Sequence, residues 1–105
     1  MKIMQRVIQR VKGDKQQEFA QWEKAWQAVN ERLGGPPKRY YTAIFGPEES
    51  GTVIWEREFQ SVADLEAYHE KVSQDPRPEL KALGFEAHDI VAMHRSELYQ
   101  VLDLS

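Results

Sequence analysis

The sequence predicts an α+β domain of the ferredoxin-like type, an antiparallel sheet built in the order βαββαβ with both helices on one face. Three observations carry this reading. Two segments repeat their apolar residues at helical spacing, four others read as strands, and the two kinds alternate as strand, helix, two strands, helix, strand. The chain has 105 residues, the size of one domain with room for one core. Beyond the βαβ duplication there is no repeat, no low-complexity run and no linker, so residues 1–105 are read as a single domain.

The first strand is expected over Ile3–Val11. Ile3, Val7 and Val11 share one parity while Met4 and Ile8 share the other, the pattern of a strand buried on both faces. "KGD" then turns the chain, and Asp14 is the expected N-cap of the first helix. Phe19, Trp22, Trp26, Val29 and Leu33 follow at spacings of 3, 4, 3 and 4, one helical stripe. Gln16, Gln17, Glu18, Glu23, Lys24 and Gln27 are assigned to its solvent side. "GGPP", Gly34 to Pro37, ends the helix.

"RYYTAIF", Arg39 to Phe45, is rich in aromatic and β-branched residues and reads as the second strand. "GPEESG" is read as a plain hairpin loop leading to a third strand at Thr52 to Phe59. Ser61 caps the second helix, with Asp64 three residues on in an approximate capping box. Val62, Leu65, Tyr68 or His69, and Val72 form its stripe, and "QDPRPE" ends it because proline cannot continue a helix. Residues 78–95 carry no clear period. "SELYQVLDL" alternates again and is expected to be the final strand.

Composition narrows the function. The net charge is −3 and the basic residues fall in small clusters such as Arg6/Arg10/Lys12 and Lys38/Arg39, so a phosphate-tracking nucleic-acid role is not expected. No apolar run reaches the roughly 20 residues of a membrane span, and the N-terminus lacks an uninterrupted apolar core of the signal-peptide kind. With no cysteine there are no disulfides, thiolate ligands or cysteine nucleophiles, as suits a reducing cytoplasm. A cytoplasmic location is therefore expected.

Two helices cover only one face of a four-stranded sheet. Yet Tyr41 and Phe45 stand against Tyr40 and Ile44, and Val53, Trp55 and Phe59 against Ile54. Burying each aromatic removes roughly 150–250 Å² from water, and a wet apolar sheet face invites association. A homodimer, sheet against sheet, is the expected assembly.

The passage "TVIWEREFQSVADLEAYHE" from Thr52, together with "QRVIQRVKGDKQQEFAQWEKAW" from Gln5, resembles the NIPSNAP-like proteins of the dimeric α+β-barrel superfamily. The resemblance runs from Gln5 to about Leu83 and, more loosely, through "SELYQVL". The usual proline before the turn glycine is missing, since Lys12 precedes Gly13. The resemblance implies a homodimeric barrel with a cavity between sheet and helices in each half. Superfamily members include cofactor-free monooxygenases, haem-degrading enzymes, small decarboxylases and dehydratases, and ligand-sensing domains. The haem-degrading members place a histidine after the second helix, where this chain offers "LKAL", Leu80 to Leu83. No haem, other cofactor or metal is therefore expected.

Candidate site residues follow from chemistry. Trp55 and Arg57 share one face of the third strand, and Glu56 and Glu58 the other. One reading sends whichever face turns inward, an aromatic and a guanidinium or else two carboxylates, into the cavity. The other pairs the charges with Arg6 or Arg10 of the first strand, expected as a parallel neighbour. Tyr40, Tyr41 and Tyr68 are either donors to a ligand carbonyl or amphipathic edge residues, and Trp22 and Trp26 are either core or stacking residues. Among His69, His88 and His94 no pair has the i, i+4 spacing of a helical zinc site. His69, near the second helical stripe, is the candidate general base. The predicted pocket set is Arg6, Tyr41, Trp55, Arg57 and Tyr68, with His69 as the catalytic candidate. Two functions are compatible with it. One is binding of a small apolar or aromatic metabolite, with cofactor-independent monooxygenase or isomerase-type chemistry; the other is a non-enzymatic sensing or dimerisation module.

Overall fold

A computed structural model describes residues 1–104. The elements run β1 (Ile3–Val11), α1 (Gln16–Leu33), β2 (Arg39–Thr42), β3 (Val53–Phe59), α2 (Val62–Gln74), α3 (Pro78–Lys81), α4 (Ala87–Ile90) and β4 (Val91–Gln100). The sheet order is β2-β3-β1-β4, the ferredoxin-like arrangement. All three strand pairs are antiparallel, so the expected parallel pairing of β1 with β3 is corrected. The short β2–β3 hairpin sends β3 back down the sheet before α2 returns the chain, which leaves β3 opposed to β1.

Alternation along β1 divides the residues between two surfaces. Ile3, Gln5, Val7, Gln9 and Val11 face the helices; Met4, Arg6, Ile8 and Arg10 face outward. On β3 the partners of the inner set are Phe59, Arg57, Trp55 and Val53, in register with Ile3, Gln5, Val7 and Gln9. The apolar residues at the two ends of the inner face build two separate cores. Ile3, Phe59, Leu65 and Tyr68 form one, and Val11, Phe19 and Ile90 the other. Between them the inner face turns polar.

Four boundaries differ from the sequence reading. Helix α1 begins after Lys15, and Asp14 does not cap it. Lys15 N–H bonds to the Lys12 carbonyl at 3.0 Å, and that extra turn moves the start one residue on. Strand β2 stops at Thr42, opposite Val53; Ala43 then bonds to Thr52 and Gly51 at 2.8 and 3.0 Å and closes the hairpin, and Ile44 and Phe45 beyond it stand 85% and 100% exposed. The "GPEESG" segment is no plain loop. It crosses the outer face of the sheet, where Glu48 pairs with Arg95 at 2.6 Å and Glu49 with Arg10 at 3.2 Å. Finally, β4 starts at Val91 and ends at Gln100, since it pairs with the full length of β1.

Helix ends are set locally. Gly34 takes the left-handed conformation (φ 76°) that closes α1, as a residue without Cβ does at little cost. The Ser61 side chain accepts the Asp64 N–H at 3.1 Å. Arg32 in the last turn of α1 binds Asp75 through two N–H groups at 2.8 and 2.7 Å and also grips Glu79. That fork ties α1 to the turn between α2 and α3.

Candidate functional site

The polar middle of the inner sheet face lies under a cavity of about 220 Å³ between β1, β3, β4, α1 and α2. Trp22 and Trp26 of α1 form one wall, edge to face with ring centroids 6.1 Å apart. Trp55 of β3 forms the floor and is buried. Both α1 tryptophans are half-buried and line this space, and Trp22 also packs against the Val11, Phe19 and Ile90 core.

The cavity's polar end is organised around Asn30. Its Oδ1 accepts from the Tyr68 hydroxyl at 2.6 Å and from Arg57 Nη1 at 3.2 Å. Its Nδ2 donates to the carbonyls of Gly35 and Pro36 at 3.3 and 2.9 Å. Gly35 is what allows this. A Cβ there would collide with Asn30 Oδ1 and come within 2.5 Å of Tyr68 Cε1 and Cζ. The end of α1 therefore fixes Asn30, and Asn30 in turn fixes Tyr68 and Arg57.

Arg57 is 9% exposed. Its Nε donates to Oε1 of the cross-strand Gln5 at 2.9 Å. Its Cζ lies 5.1 Å from the ring centroids of both Trp55 and Tyr68, and 5.3 Å from that of Phe59. Burial lowers its pKa from the ordinary arginine value, yet the group stays protonated.

A second ionic pair lies beside it. Lys38 Nζ is 3.7 Å from Glu23 Oε1, each side chain 8% exposed, and 4.1 Å from the Trp55 centroid. Burial pushes the Lys38 ammonium down to about 8, against the pull of Glu23. It raises the Glu23 carboxyl, against the pull of Lys38. Glu23 thus belongs to the cavity and not to the solvent side of α1, where its polarity had placed it. Two buried oxygens here, Gln9 Oε1 and Glu23 Oε1, have no hydrogen-bond donor among the described residues.

The predicted residues divide. Trp55, Arg57, Tyr68 and His69 line the cavity. His69 is exposed at its mouth, and partial desolvation of its ring together with the Arg57 charge lowers its pKa, which favours the neutral imidazole. Arg6 and Tyr41 do not join them. Both lie on the outer face of the sheet, in register with Glu56 and Ile54 of β3. Arg6 Nε donates to Glu56 at 2.7 Å, the cross-strand ion pairing foreseen as the alternative role for these charges. Gln5, Glu23, Asn30 and Lys38 were missed. Gln5 and Gln9 carry a readable signal, for they interrupt the apolar parity Ile3–Val7–Val11 at the level of the cavity. Among the described residues no three His, Asp or Glu side chains come together as a metal site, and no helix is long and apolar enough to cross a membrane.

Comparison with known proteins fits this architecture. The NIPSNAP family model matches residues 7–103, while no curated protein matches the chain. A NIPSNAP family protein from Agrobacterium tumefaciens superposes with a TM-score of 0.78 at 21% identity, covering 100% of this chain and 97% of that one. An uncharacterized NIPSNAP-like domain protein from Burkholderia xenovorans gives 0.75 at 15% identity, covering 99% and 88%. A dimeric protein of unknown function and ferredoxin-like fold from Bacteroides fragilis gives 0.64 at 15%, covering 95% and 96%. At these identities the structural likeness speaks for the fold.

Proposed function

The chain belongs to the NIPSNAP family, and from that premise we propose that it acts as a homodimer binding a small apolar or aromatic metabolite in the cavity between sheet and helices. One observation carries the reading: a space of about 220 Å³ walled by three tryptophans and held open beside a buried arginine. A module used only for dimerisation has no reason to keep such a space. Its side chains would close it, since empty apolar volume costs stability. The volume falls below the ~300 Å³ at the low end of drug-sized sites, which suits a compact metabolite.

The reaction these residues support best is proton transfer without a cofactor. Neutral His69 at the mouth accepts a proton from bound substrate. The Arg57 guanidinium, pre-positioned by Asn30, offsets the negative charge of the bound molecule. Isomerase-type and cofactor-independent oxygenase reactions both draw on that step.

Support for the dimer comes from shape and surface. The chain is a slab of 45 × 37 × 16 Å with a radius of gyration of 14.7 Å, where a compact chain of this length has about 13 Å. The outer sheet face has no helix over it, and Ile44 and Phe45 project beside it. The Bacteroides fragilis relative, similar in fold, is described as dimeric.

Native mass spectrometry of the purified protein tests both parts. The expected result is a mass of about twice 12.3 kDa plus a non-covalent small molecule, identified after denaturation. A monomer refutes the assembly. A bare dimer that gains no thermal stability from any member of a small-metabolite library refutes the binding role.

A further inference from the structure

The charge balance of the cavity identifies the class of ligand, and the inference rests on the binding role proposed above. We infer that the ligand is a monoanion, a small aromatic or apolar monocarboxylate whose carboxylate seats on the Arg57 guanidinium while its body lies against Trp22, Trp26 and Trp55.

Two cations and one carboxylate border the cavity. Lys38 and Glu23 are paired with each other at 3.7 Å and cancel. Arg57 takes part in no ion pair among the described residues. Both its polar partners, Gln5 Oε1 and Asn30 Oδ1, are neutral acceptors. A guanidinium carries five N–H donors, so the group keeps donors for a ligand as well as its full charge. The rings of Trp55, Phe59 and Tyr68 hold it in place without neutralising it. A buried charge left unpaired is costly, and the one carboxylate bordering the cavity, Glu23, sits against Lys38 and reaches Arg57 only at longer range.

The remaining geometry agrees. Gln5 is fixed in register opposite Arg57, and Asn30 is held by two backbone carbonyls. The planar fork is therefore oriented before any ligand arrives, the condition for two-point recognition of a carboxylate. One uncompensated positive charge matches one negative charge. A dianionic phosphate would need a second free cation, and Lys38 is already engaged by Glu23. A cationic ligand would meet Arg57 directly.

Intrinsic fluorescence reads this site cleanly, because the chain has three tryptophans and all three line the cavity. The full-length protein is titrated with benzoate, phenylacetate and indole-3-acetate, then with the corresponding neutral amides, and with phenyl phosphate. The inference expects saturable change with at least one carboxylate, about tenfold tighter than its amide and tighter than phenyl phosphate. It also expects Arg57→Gln to lose that preference, the carboxylate-to-amide affinity ratio falling to about one. Arg57→Lys, which keeps charge but not the fork, should retain part of it. If Arg57→Gln fails to fold by circular dichroism, the carboxylate-to-amide ratio of the unaltered protein decides alone. Equal or tighter binding of the amides overturns the monoanion assignment while leaving the cavity a binding site. No saturable change with any probe overturns the cavity reading as well.

Discussion

Asn30 is the residue on which the cavity's geometry hangs, and Asn30→Ala is the sharpest test of that view. The substitution removes four hydrogen bonds at once: those from Tyr68 Oη and Arg57 Nη1, and those to the Gly35 and Pro36 carbonyls. Asn30 is 7% exposed, so water replaces these partners only in part. A neutral buried hydrogen bond is worth about 1 kcal/mol net, and one to a charged group about 1.5–3 kcal/mol. The bonds at 3.2 and 3.3 Å are long and count at the low end. Together they give an expected loss of about 4 kcal/mol. A chain of this length has an unfolding entropy of roughly 0.2 kcal/mol/K, so Tm should fall by about 15–20 °C. The assay is thermal and urea unfolding at fixed protein concentration, since an associating protein has a concentration-dependent Tm. A double-mutant cycle with Tyr68→Phe isolates the shortest bond, with an expected coupling on the order of 1 kcal/mol. A loss below 1 kcal/mol for Asn30→Ala, with no coupling, would show that the cavity is not organised through this side chain.

Other predictions follow from the same contacts. Gly35→Ala drives a methyl group into Asn30 and Tyr68 and should destabilise by about 2–3 kcal/mol, within the range for overpacking; Gly13→Ala, with open space at its Cβ and no left-handed backbone, is the comparison, and equal losses would refute the steric account. Lys38, held at about 8 against 10.5, has released its proton in the folded chain between those values while the unfolded chain still holds it. The unfolded state then binds more protons, so stability rises with pH from about 8, with a slope of at most about 1.4 kcal/mol per pH unit. Urea midpoints between pH 7.5 and 9.5 should show the rise in the unaltered protein and not in Lys38→Met. Phe45→Asp, at a fully exposed position, should leave the fold intact by circular dichroism and move the light-scattering mass from that of the proposed dimer to 12.3 kDa. An unchanged dimer mass removes the β2–β3 connection from the interface.

Helices α1 and α2 were legible because a 3.6-residue period records which stripe is buried, whatever covers it. The ends of β2 and β4 were not, because Ala43–Phe45 is as strand-like in composition as Arg39–Thr42. A strand ends where its neighbour's backbone ends, and no local sequence states that. The same limit explains the site. Trp55, Arg57, Tyr68 and His69 were found because chemistry flags them. Arg6 and Tyr41 were misplaced because β1 and β2 carry large residues on both parities, so the inward face cannot be read from either strand alone. Asn30, in a helix interior, and Lys38, just past its end, look like solvated residues until the fold turns the end of α1 over Arg57.

The alternation along β1 and β3 has a consequence for how such a protein diverges. Odd-numbered positions, Gln5 and Val7 on β1 with Trp55 and Arg57 on β3, address the cavity; even-numbered ones, Arg6 and Ile8 with Ile54 and Glu56, address the outside. Point substitutions can therefore alter the cavity lining and the outer surface independently, strand by strand, with neither face constraining the other. Insertion or deletion of one residue within either strand has no such freedom. It would turn every later side chain to the opposite face, sending Arg57 outward and Glu56 inward in a single step. In a lineage of such chains, strand length should stay fixed while composition drifts, and changes in length should collect in the segment between Thr42 and Val53.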